Sequence, residues 1–546
     1  MEQNGEFVAG TLRLVNEPGE TDRPSRVVLV PAPTKNINDP LNWSRGAKLW
    51  VASNLLAWTF FANAAIAWTS PAWAVWTIEL NTTFTLLNYG QALLVLMCGF
   101  GCLFLQPWAL KYGRRSVYVL GSILILIGLA LGATMKNING FYAYMILSGF
   151  GSAPSYATII TSLIDITFLH QKGRVLSLYG IVLILGNFLP PVAAGYITQS
   201  QGWKWCFYYL IIFFVVSSLL VLSCAEETLF PRTSIVANVE HGIDRIDTEV
   251  RDESSEIASK QPVDGTYEAS LSTPLPTSVG EPQENVTSVP TQRYTYAQRM
   301  TLFRPNTNVK ASYIKLTFEV FQVCTLPAAV WASWMIAIAT FVVGYVFTTQ
   351  ASFFAAPPYN FDASQLGLMY FALIIGNFIG AIYGGNVADW IVLRLAKANN
   401  GIAEAEHRLW AYIPVPFLGA IGVLLYGVGA SHGIHWIVPC LGLVFVGIFL
   451  NASLPVAMGY ALDSYVDLSG EIVQLSNFIR NLVGGAFTFG IQPWITYNGA
   501  QTTSIIIAVV IFVLNLSSIP FQIWGKSIRR RTAKRYLKLT NRATYY

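Results

Sequence analysis

Lys111-Tyr112-Gly113-Arg114-Arg115 and Gly385-Asn386-Val387-Ala388-Asp389 are the two short turns that decide the fold of this 546-residue chain. The first turn follows the second long apolar run of the sequence, and the second turn follows the eighth. A turn that recurs six apolar runs later indicates a repeated six-span unit, which is typical of secondary transporters built from two halves. The sequence therefore predicts two related halves, each containing six spans.

Composition places these runs in a membrane. Hydrophobic residues make up 53% of the chain and charged residues 12%, whereas soluble domains carry roughly 25% charged residues. Runs of about 20 apolar residues cross a bilayer as helices, because backbone polar groups in lipid must be satisfied within the run. We therefore predict an all-α integral membrane protein with 12 transmembrane helices in two pseudo-symmetric six-helix bundles. The predicted spans 1 to 12 are 48–76, 85–110, 116–135, 141–165, 175–197, 205–225, 328–356, 365–388, 409–429, 434–461, 472–495 and 504–525.

Polar segments divide the chain further. Lysine and arginine counts along the loops predict that both termini are cytosolic, and the absence of an organelle address favours the plasma membrane. The stretch between the two halves is rich in Ser, Thr, Pro and acidic residues, so we expect a disordered linker. The expected domains are a cytosolic tail 1–47, a bundle 48–225, a cytosolic linker 226–326, a second bundle 327–525 and a basic cytosolic tail 526–546.

Several further strings make a family resemblance specific. They are Asp39-Pro40-Leu41-Asn42-Trp43-Ser44, Gly202-Trp203-Lys204-Trp205-Cys206-Phe207, Glu226-Glu227-Thr228-Leu229-Phe230, Glu406-His407-Arg408-Leu409-Trp410 and Asn477-Phe478-Ile479-Arg480-Asn481. With the two turns, they resemble the major facilitator superfamily, in particular its fungal drug:proton-antiporter branch with 12 spans. The resemblance implies two bundles around a central cavity that opens alternately to each side of the membrane.

The family's turn resembles G-x-x-x-D-R-x-G-R-R and acts as a cytosolic latch. Here Leu110 stands where the family has aspartate, which predicts a weaker first latch, whereas the second half keeps Asp389. The alternative is that Arg114 and Arg115 serve only as positive anchors at the cytosolic surface. Gating or coupling is assigned by this resemblance to Arg114, Arg115, Asp165, Arg174 and Asp389; for Asp165 and Arg174 a charged helix end in the headgroups is the alternative.

Span 5 contains Gly186-Asn187-Phe188-Leu189-Pro190-Pro191-Val192-Ala193-Ala194-Gly195, which resembles the family's antiporter motif. Proline removes a backbone donor and bends a helix, and small residues four apart let helices approach closely. The helix bend is therefore assigned to Gly186, Pro190, Pro191 and Gly195, and in the family the motif accompanies export. Packing of an ordinary membrane helix is the alternative reading of these small residues.

Arg480 is the base placed well inside a span. It lies nine residues after Glu471, or roughly 13 Å along a helix, which is near the midplane of a hydrocarbon core about 30 Å thick. An arginine there is costly unless it faces a cavity or an acid, and Asp463 is a plausible partner. A role in gating or coupling therefore competes with a snorkelling structural anchor.

Neutral amides and aromatics predict a cavity for a bulky, largely neutral ligand. No carboxylate is evident within spans 1, 2, 5, 7 or 8, which argues against a polycationic substrate. The candidate cavity residues are Asn54, Trp58, Asn63, Gln91, Tyr156, Asn187, Tyr345, Gln350, Phe353, Asn377, Asn451, Asn477 and Asn481.

Motifs for catalysis, metal binding and cofactor binding are absent from the sequence, so we expect no enzyme, no metal and no cofactor. The expected partners are a small-molecule substrate, a proton as coupling ion and the lipid bilayer, with no nucleic acid and a monomeric state. The predicted function is proton-coupled export of a drug, toxin or secondary metabolite by alternating access. An importer of a nutrient or vitamin and a non-transporting nutrient receptor are the alternatives.

Overall fold

The computed structural model describes residues 2–3, 6–7, 11–13, 38–224, 226–229, 294–306, 311–399 and 401–543. Ten helices in this part of the chain are long and apolar enough to cross a membrane. The other two predicted spans are helical as well. Span 4 is divided into two shorter helices, and span 11 is one 30-residue helix that is less apolar than the other ten. The prediction of an all-α membrane fold is therefore confirmed.

The first half begins after a short 3-10 turn, Pro40–Asn42, whose first free backbone donor is capped by Asp39. Span 4 is interrupted by a 3-10 turn at Ala153–Ser155, because Pro154 cannot donate the backbone hydrogen bond that a continuous helix needs. The α-helices of this half are Arg45–Ala67, Trp73–Glu79, Phe84–Tyr112, Arg114–Ala133, Ile138–Ser152, Thr158–Asp165, Leu169–Ser200 and Trp203–Cys224, with a further 3-10 turn at Ser70–Ala72.

The second half contains two π-helical turns, Tyr383–Val387 in span 8 and Leu424–Val428 in span 9. Such turns insert an extra residue into an α-helix and often accompany functional sites. The α-helices of this half are Pro327–Phe354, Ala363–Leu368, Tyr370–Ile382, Ala388–Ala398, Val415–Val423, Gly429–Ser431, Ile437–Ser464, Ser469–Asn498, Ala500–Asn515 and Ser518–Ala543, with 3-10 helices Ala405–Tyr412 and Val466–Leu468.

Four short strands lie outside the bundles. Glu2–Gln3 pairs antiparallel with Glu6–Phe7, and Thr11–Arg13 pairs antiparallel with Ile402–Glu404, just before span 9. The second pairing brings a piece of the N-terminal tail to the second bundle.

Part of the predicted disordered linker 226–326 is ordered, which corrects that prediction. Helices form at Tyr296–Arg299 and Tyr313–Glu319, followed by a 3-10 helix at Val320–Thr325. Aromatic residues hold this segment in place: Phe303 and Tyr313 both pack against Trp108 of span 2. Residues 230–293 lie outside the described residues, so the prediction for them stays a prediction.

The two bundles have a basic end, which carries Arg114 and Arg408, and a far end, which carries Trp76 and Asp362. At the far end Ser70 donates a hydrogen bond of 3.0 Å to the carbonyl of Phe347, and Gln199 donates one of 3.2 Å to Asp362. Spans 2 and 11 run side by side, with Asn88 donating to the Thr488 carbonyl at 2.7 Å and Gln474 to the Leu103 carbonyl at 3.2 Å. Contacts between spans 1 and 7 and between spans 5 and 8 therefore close the far end.

Candidate functional site between the bundles

An ion pair at the basic end joins the start of span 3 to the end of span 4. Arg114 Nη1 lies 2.5 Å from Asp165 Oδ2, and Arg114 is only 8% exposed. The turn before it needs glycine, because Gly113 has φ +107°, a conformation that other residues rarely adopt. The structure thus brings together two residues that we assigned to gating.

A carboxylate that we did not assign completes this turn. Buried Glu227, which follows span 6, accepts hydrogen bonds of 3.1 Å from the backbone N–H groups of both Arg114 and Arg115. A negative charge at a helix N-terminus is stabilised by the free N–H groups and the helix dipole. Glu227 therefore supplies the negative charge at the first latch that Leu110 cannot supply. The signal in the sequence was the acidic pair after span 6, which we used only for the resemblance.

The second half has an equivalent pairing centred on Arg408. Arg408 Nε lies 2.8 Å from Asp463 Oδ2, and Arg408 Nη1 lies 3.2 Å from Asp389 Oδ1. Arg408 begins span 9 and Asp463 ends span 10, so this pairing repeats the geometry of Arg114 and Asp165. The prediction that Asp463 pairs with Arg480 is therefore wrong, because a nearer arginine at the basic end holds that carboxylate. Sequence reasoning missed Arg408, whose position relative to Arg114 was the available signal.

A buried ion pair lies beside this pairing, and here the residue that follows the sixth span of the bundle is a base and not an acid such as Glu227. Arg529 is 0% exposed, and its Nε and Nη2 donate to Glu406 at 2.9 and 2.5 Å. Lys526 Nζ lies 2.5 Å from Glu404 Oε1. The helix after span 12 therefore binds the start of span 9 through ion pairs, much as Glu227 after span 6 binds the start of span 3 through hydrogen bonds.

Arg480 lies where span 11 meets span 4 of the other bundle. Its guanidinium carbon is 5.0 Å from the centre of the Tyr156 ring, a cation–π contact. Among the described residues it makes no ion pair, and its buried Nε has no hydrogen-bond partner. Both side chains remain partly exposed although they lie between the bundles.

Amide side chains surround this pair. Asn477 donates to the Tyr156 carbonyl at 3.4 Å, and Asn481 donates to the Asn477 carbonyl at 2.9 Å. Asn187 of span 5 lies beside Tyr156. Arg480, Tyr156 and these three amides, which we call the central cluster, combine a positive charge, an aromatic face and hydrogen-bonding groups.

Many other candidate cavity residues pack inside one bundle in this structure, which corrects their assignment. Trp58 donates to Ser122 at 2.8 Å, Tyr345 shares a hydrogen bond of 2.7 Å with Ser504, and Asn451 donates to Asn377 at 3.0 Å. Polarity within a span did not distinguish these internal pairs from cavity groups. Those exposed by no more than 1% are Trp58, Asn63, Tyr345, Gln350 and Asn377.

Three candidates are intermediate cases. Asn54 is 5% exposed and donates to the Trp50 carbonyl of its own helix at 2.9 Å. Gln91 is 9% exposed, and the partly buried Phe353 packs against Tyr345.

The span 5 residues divide into two kinds. Pro190 and Pro191 lie inside the helix Leu169–Ser200. Gly186 faces span 1 and Gly195 faces span 8, where a Cβ at position 195 would lie 2.3 Å from the Ala363 carbonyl oxygen. The antiporter-like segment is therefore a contact surface between bundles as well as a proline-containing stretch.

Arg174, which we assigned to gating or coupling, is exposed and makes no ion pair with any described side chain.

Comparison with known proteins agrees with this architecture. The sequence model described as Major Facilitator Superfamily matches residues 55–489. Protein HOL1 of Saccharomyces cerevisiae is 30% identical over 95% of this chain and 92% of its own length. Efflux pump radE of Floropilus chiversii is 25% identical over 93% of this chain and 86% of its own length.

A solved structure also shares the fold. The crystal structure of a mutant of peptide transporter POT in complex with sulfate superposes with a TM-score of 0.55 at 14% identity. The match covers 90% of this chain and 96% of that one. At this identity the likeness concerns the fold alone.

Proposed function

The chain belongs to the Major Facilitator Superfamily, and from that premise we propose that it exports a small organic molecule in exchange for protons. As a member of this family it is a multi-pass membrane transporter with relatives in fungi. The proposed location is the plasma membrane, with a monomeric protein and both termini in the cytosol. The basic end then faces the cytosol, and the closed far end faces outward.

The observation that carries the proposal is the partly exposed pair of Arg480 and Tyr156 between the bundles. A guanidinium without an ion-pair partner is well suited to a substrate oxygen, and an aromatic face is suited to an apolar or planar body. A cationic substrate would be repelled by Arg480, since none of the described carboxylates pairs with it to offset the repulsion. We therefore propose a neutral or acidic substrate, such as a drug, toxin or secondary metabolite.

The two arginine–carboxylate pairings supply the proposed gate. Each joins the third span of a bundle to its fourth span, so each keeps the basic end of one bundle rigid. Protonation of Asp165 or Asp463 would remove a charge from its pair, because a neutral carboxyl no longer attracts the guanidinium. Proton binding would in this way loosen the basic end of that bundle and couple the proton gradient to rocking.

Two observations support the proposal of export. Efflux pump radE is similar to this chain over most of both lengths. The segment Gly186 to Gly195 resembles the antiporter motif, and its last glycine lies at the contact between bundles. Import of a nutrient uses the same architecture in the opposite direction, so direction needs a direct measurement.

The test is substrate accumulation in a deletion strain and in an overexpressing strain, with a panel of labelled hydrophobic metabolites and xenobiotics. Export predicts lower accumulation on overexpression, and a protonophore should abolish the difference. An Arg480→Gln strain with the same surface expression controls for indirect effects on permeability. Higher accumulation on overexpression would reverse the direction, and persistence with a protonophore would contradict proton coupling.

A further inference from the structure

The helix Ser518–Ala543 continues beyond span 12 and carries a patch of charge that the transport site does not use. No Asp or Glu occurs between Lys526 and Ala543. Five exposed bases follow helical spacing within this stretch and share about 140° of the helix circumference at 100° per residue. These residues, which we call the basic stripe, are Arg530, Arg531, Lys534, Arg535 and Lys538.

The opposite face of this helix is fixed to the second bundle. Arg529 is held by Glu406, Thr532 lies 3.3 Å from the hydroxyl of Tyr465, and Tyr536 donates to Asp467. Because these contacts prevent the helix from turning about its axis, the basic stripe has a fixed direction. None of its five bases makes an ion pair with a described side chain.

Two exposed apolar residues on the same face indicate what the stripe faces. Ile523 is 65% exposed and Trp524 is 60% exposed, and each lies seven residues, or two turns, before a base of the stripe. Exposed apolar groups next to a span face lipid, and tryptophan is enriched at the membrane interface. Two turns correspond to roughly 10 Å, so the same face passes from the lipid chains to the headgroup layer.

From this geometry we propose that the basic stripe binds the headgroups of anionic phospholipids in the leaflet at the basic end. Lysine and arginine bind such headgroups through charge and hydrogen bonds, and the attraction falls off within a Debye length. Free solutes and nucleic acids also carry phosphate, but neither would require the apolar residues Ile523 and Trp524 on the same face. The lipid surface accounts for both halves of the pattern.

Lipid binding here would bear on the second latch. Arg529 holds Glu406, which lies two residues before Arg408 on the same 3-10 helix, and Arg408 holds Asp389 and Asp463. A headgroup layer that fixes the helix Ser518–Ala543 therefore also steadies the start of span 9. The lipid site thus lies outside the central cluster but is connected to the gate by one buried ion pair.

The test measures binding of phosphatidylserine and of phosphatidylcholine to the full-length protein in detergent micelles by native mass spectrometry. The variant Arg530→Gln/Lys534→Gln/Lys538→Gln removes three charges from the stripe. The matched control Lys315→Gln/Arg394→Gln/Lys397→Gln removes three exposed charges from other helices at the same end. We expect at least a tenfold loss of phosphatidylserine affinity in the stripe variant, and less than a twofold change in the control and for phosphatidylcholine.

Equal losses in both variants would overturn the proposal, because only the total charge would then matter. Displacement of phosphatidylserine by an RNA oligonucleotide of equal affinity would also overturn it in favour of a nucleic-acid site. If the stripe variant did not fold, a salt titration of the wild-type protein would give the answer. Phosphatidylserine affinity should then fall steeply between 0.1 and 0.5 M salt (roughly 10 and 4 Å Debye length), and an unchanged affinity would contradict an electrostatic site.

Discussion

At the scale of single residues, the two halves use the same positions with opposite charges. In the first half a carboxylate, Glu227, reaches the start of span 3, whereas in the second half an arginine, Arg529, reaches Glu406 at the start of span 9. Both arrangements bring one charged group from the end of a bundle's sixth span to the beginning of its third. What is repeated between the halves is therefore the contact and not the residue type.

The buried pair of Glu406 and Arg529 is expected to be important for stability. Glu406→Gln removes the carboxylate that faces the fully buried guanidinium of Arg529, and breaking such a pair typically costs about 3–5 kcal/mol. Asp463→Asn is the control, because the pair of Arg408 and Asp463 is partly exposed and such pairs contribute about 0–1 kcal/mol. Thermal unfolding of both variants in detergent measures the difference, and equal midpoints would contradict the importance of burial.

Arg480 is expected to be essential for transport. Arg480→Gln removes the charge, so substrate export should fall at least tenfold. Arg480→Lys keeps the charge but loses the planar group that contacts the Tyr156 ring, so export should fall less in this variant. Arg394→Gln is the matched control, since Arg394 also stacks on an aromatic ring but lies exposed on another helix. Transport per copy at the cell surface is the measurement, and full activity of Arg480→Gln would make this residue an anchor.

The sequence predicted some partners and not others for a physical reason. The family resemblance assigned Asp165 and Arg114 to the same end of the first bundle, and the structure pairs these residues. Asp463 was offered as the acid that an arginine inside a span needs, but contacts between spans depend on how helices cross. Likewise, Trp58 and Tyr345 look like cavity residues because polar atoms are rare in spans, yet each bonds within its own bundle.

At the scale of helices, span 5 contacts span 8 closely because Gly195 has no side chain at the point of contact. A Cβ at Gly195 would approach the Ala363 backbone, whereas a Cβ at Gly180 of the same helix would meet no atom within 4 Å. The hydrophobic runs predicted where these helices lie, because helices in lipid follow from length and hydropathy. They did not predict the π-helical turns in spans 8 and 9, which have no signal as simple as the proline that interrupts span 4.

Gly195→Val is therefore expected to open the far end. The added side chain separates spans 5 and 8, so the population should shift away from the state with the far end closed. The measurement is disulfide formation between Gln199→Cys and Asp362→Cys, whose native side chains are 3.2 Å apart in this state. Cross-linking should slow at least fivefold in Gly195→Val and not in Gly180→Val, and equal rates in both would contradict a role for this contact.

Glu471 in the first turn of the helix Ser469–Asn498 is expected to make stability depend on pH. Burial raises the pKa of Glu471, and the neighbouring carboxylate of Glu319 raises it further. Because the folded protein binds this proton more tightly than the unfolded chain does, the stabilising contribution is present at low pH and is lost as pH rises through the raised pKa. Glu471→Gln should therefore match the wild-type melting temperature at acidic pH and exceed it at neutral pH.

A series of melting curves from acidic to neutral pH tests this sign. Glu319→Gln should reduce the difference between wild-type protein and the Glu471→Gln variant, because it removes the second cause of the raised pKa. A difference that is constant with pH would show that Glu471 does not titrate differently in the folded protein.

At the scale of the whole molecule, part of the linker between the bundles is docked on the first bundle, so fewer linker residues connect the bundles freely than the linker's length suggests. The described linker segment 294–306 is tied to the first bundle: Arg304 and Asn306 donate backbone hydrogen bonds of 2.9 Å to the carbonyls of Tyr112 and Lys111. Average composition over about 100 residues concealed this segment, since its few aromatic residues are diluted by Ser, Thr and Pro. A composition rule applied to a long window therefore predicts the polar character of a linker but not its short docked elements.

The same contacts predict which part of the linker the protein can lose. Glu226 pairs with Arg299 at 2.8 Å, and the backbone N–H of Glu227 donates to the Arg299 carbonyl at 3.5 Å, so the two ends of 230–293 already lie close together. Replacing residues 232–291 by about eight Gly and Ser residues should preserve folding. It shortens the loop 230–293 from 64 to about 12 residues, and by loop-closure entropy this shortening should add about 1.4 kcal/mol. Melting temperature and transport measure the outcome.

Replacing residues 294–306 with an equal length of Gly and Ser is the control and should lower the melting temperature, because the bonds to Tyr112 and Lys111 are lost. If instead the long deletion abolished folding while the short replacement did not, the docked segment would contribute nothing and the bundles would depend on residues 232–291.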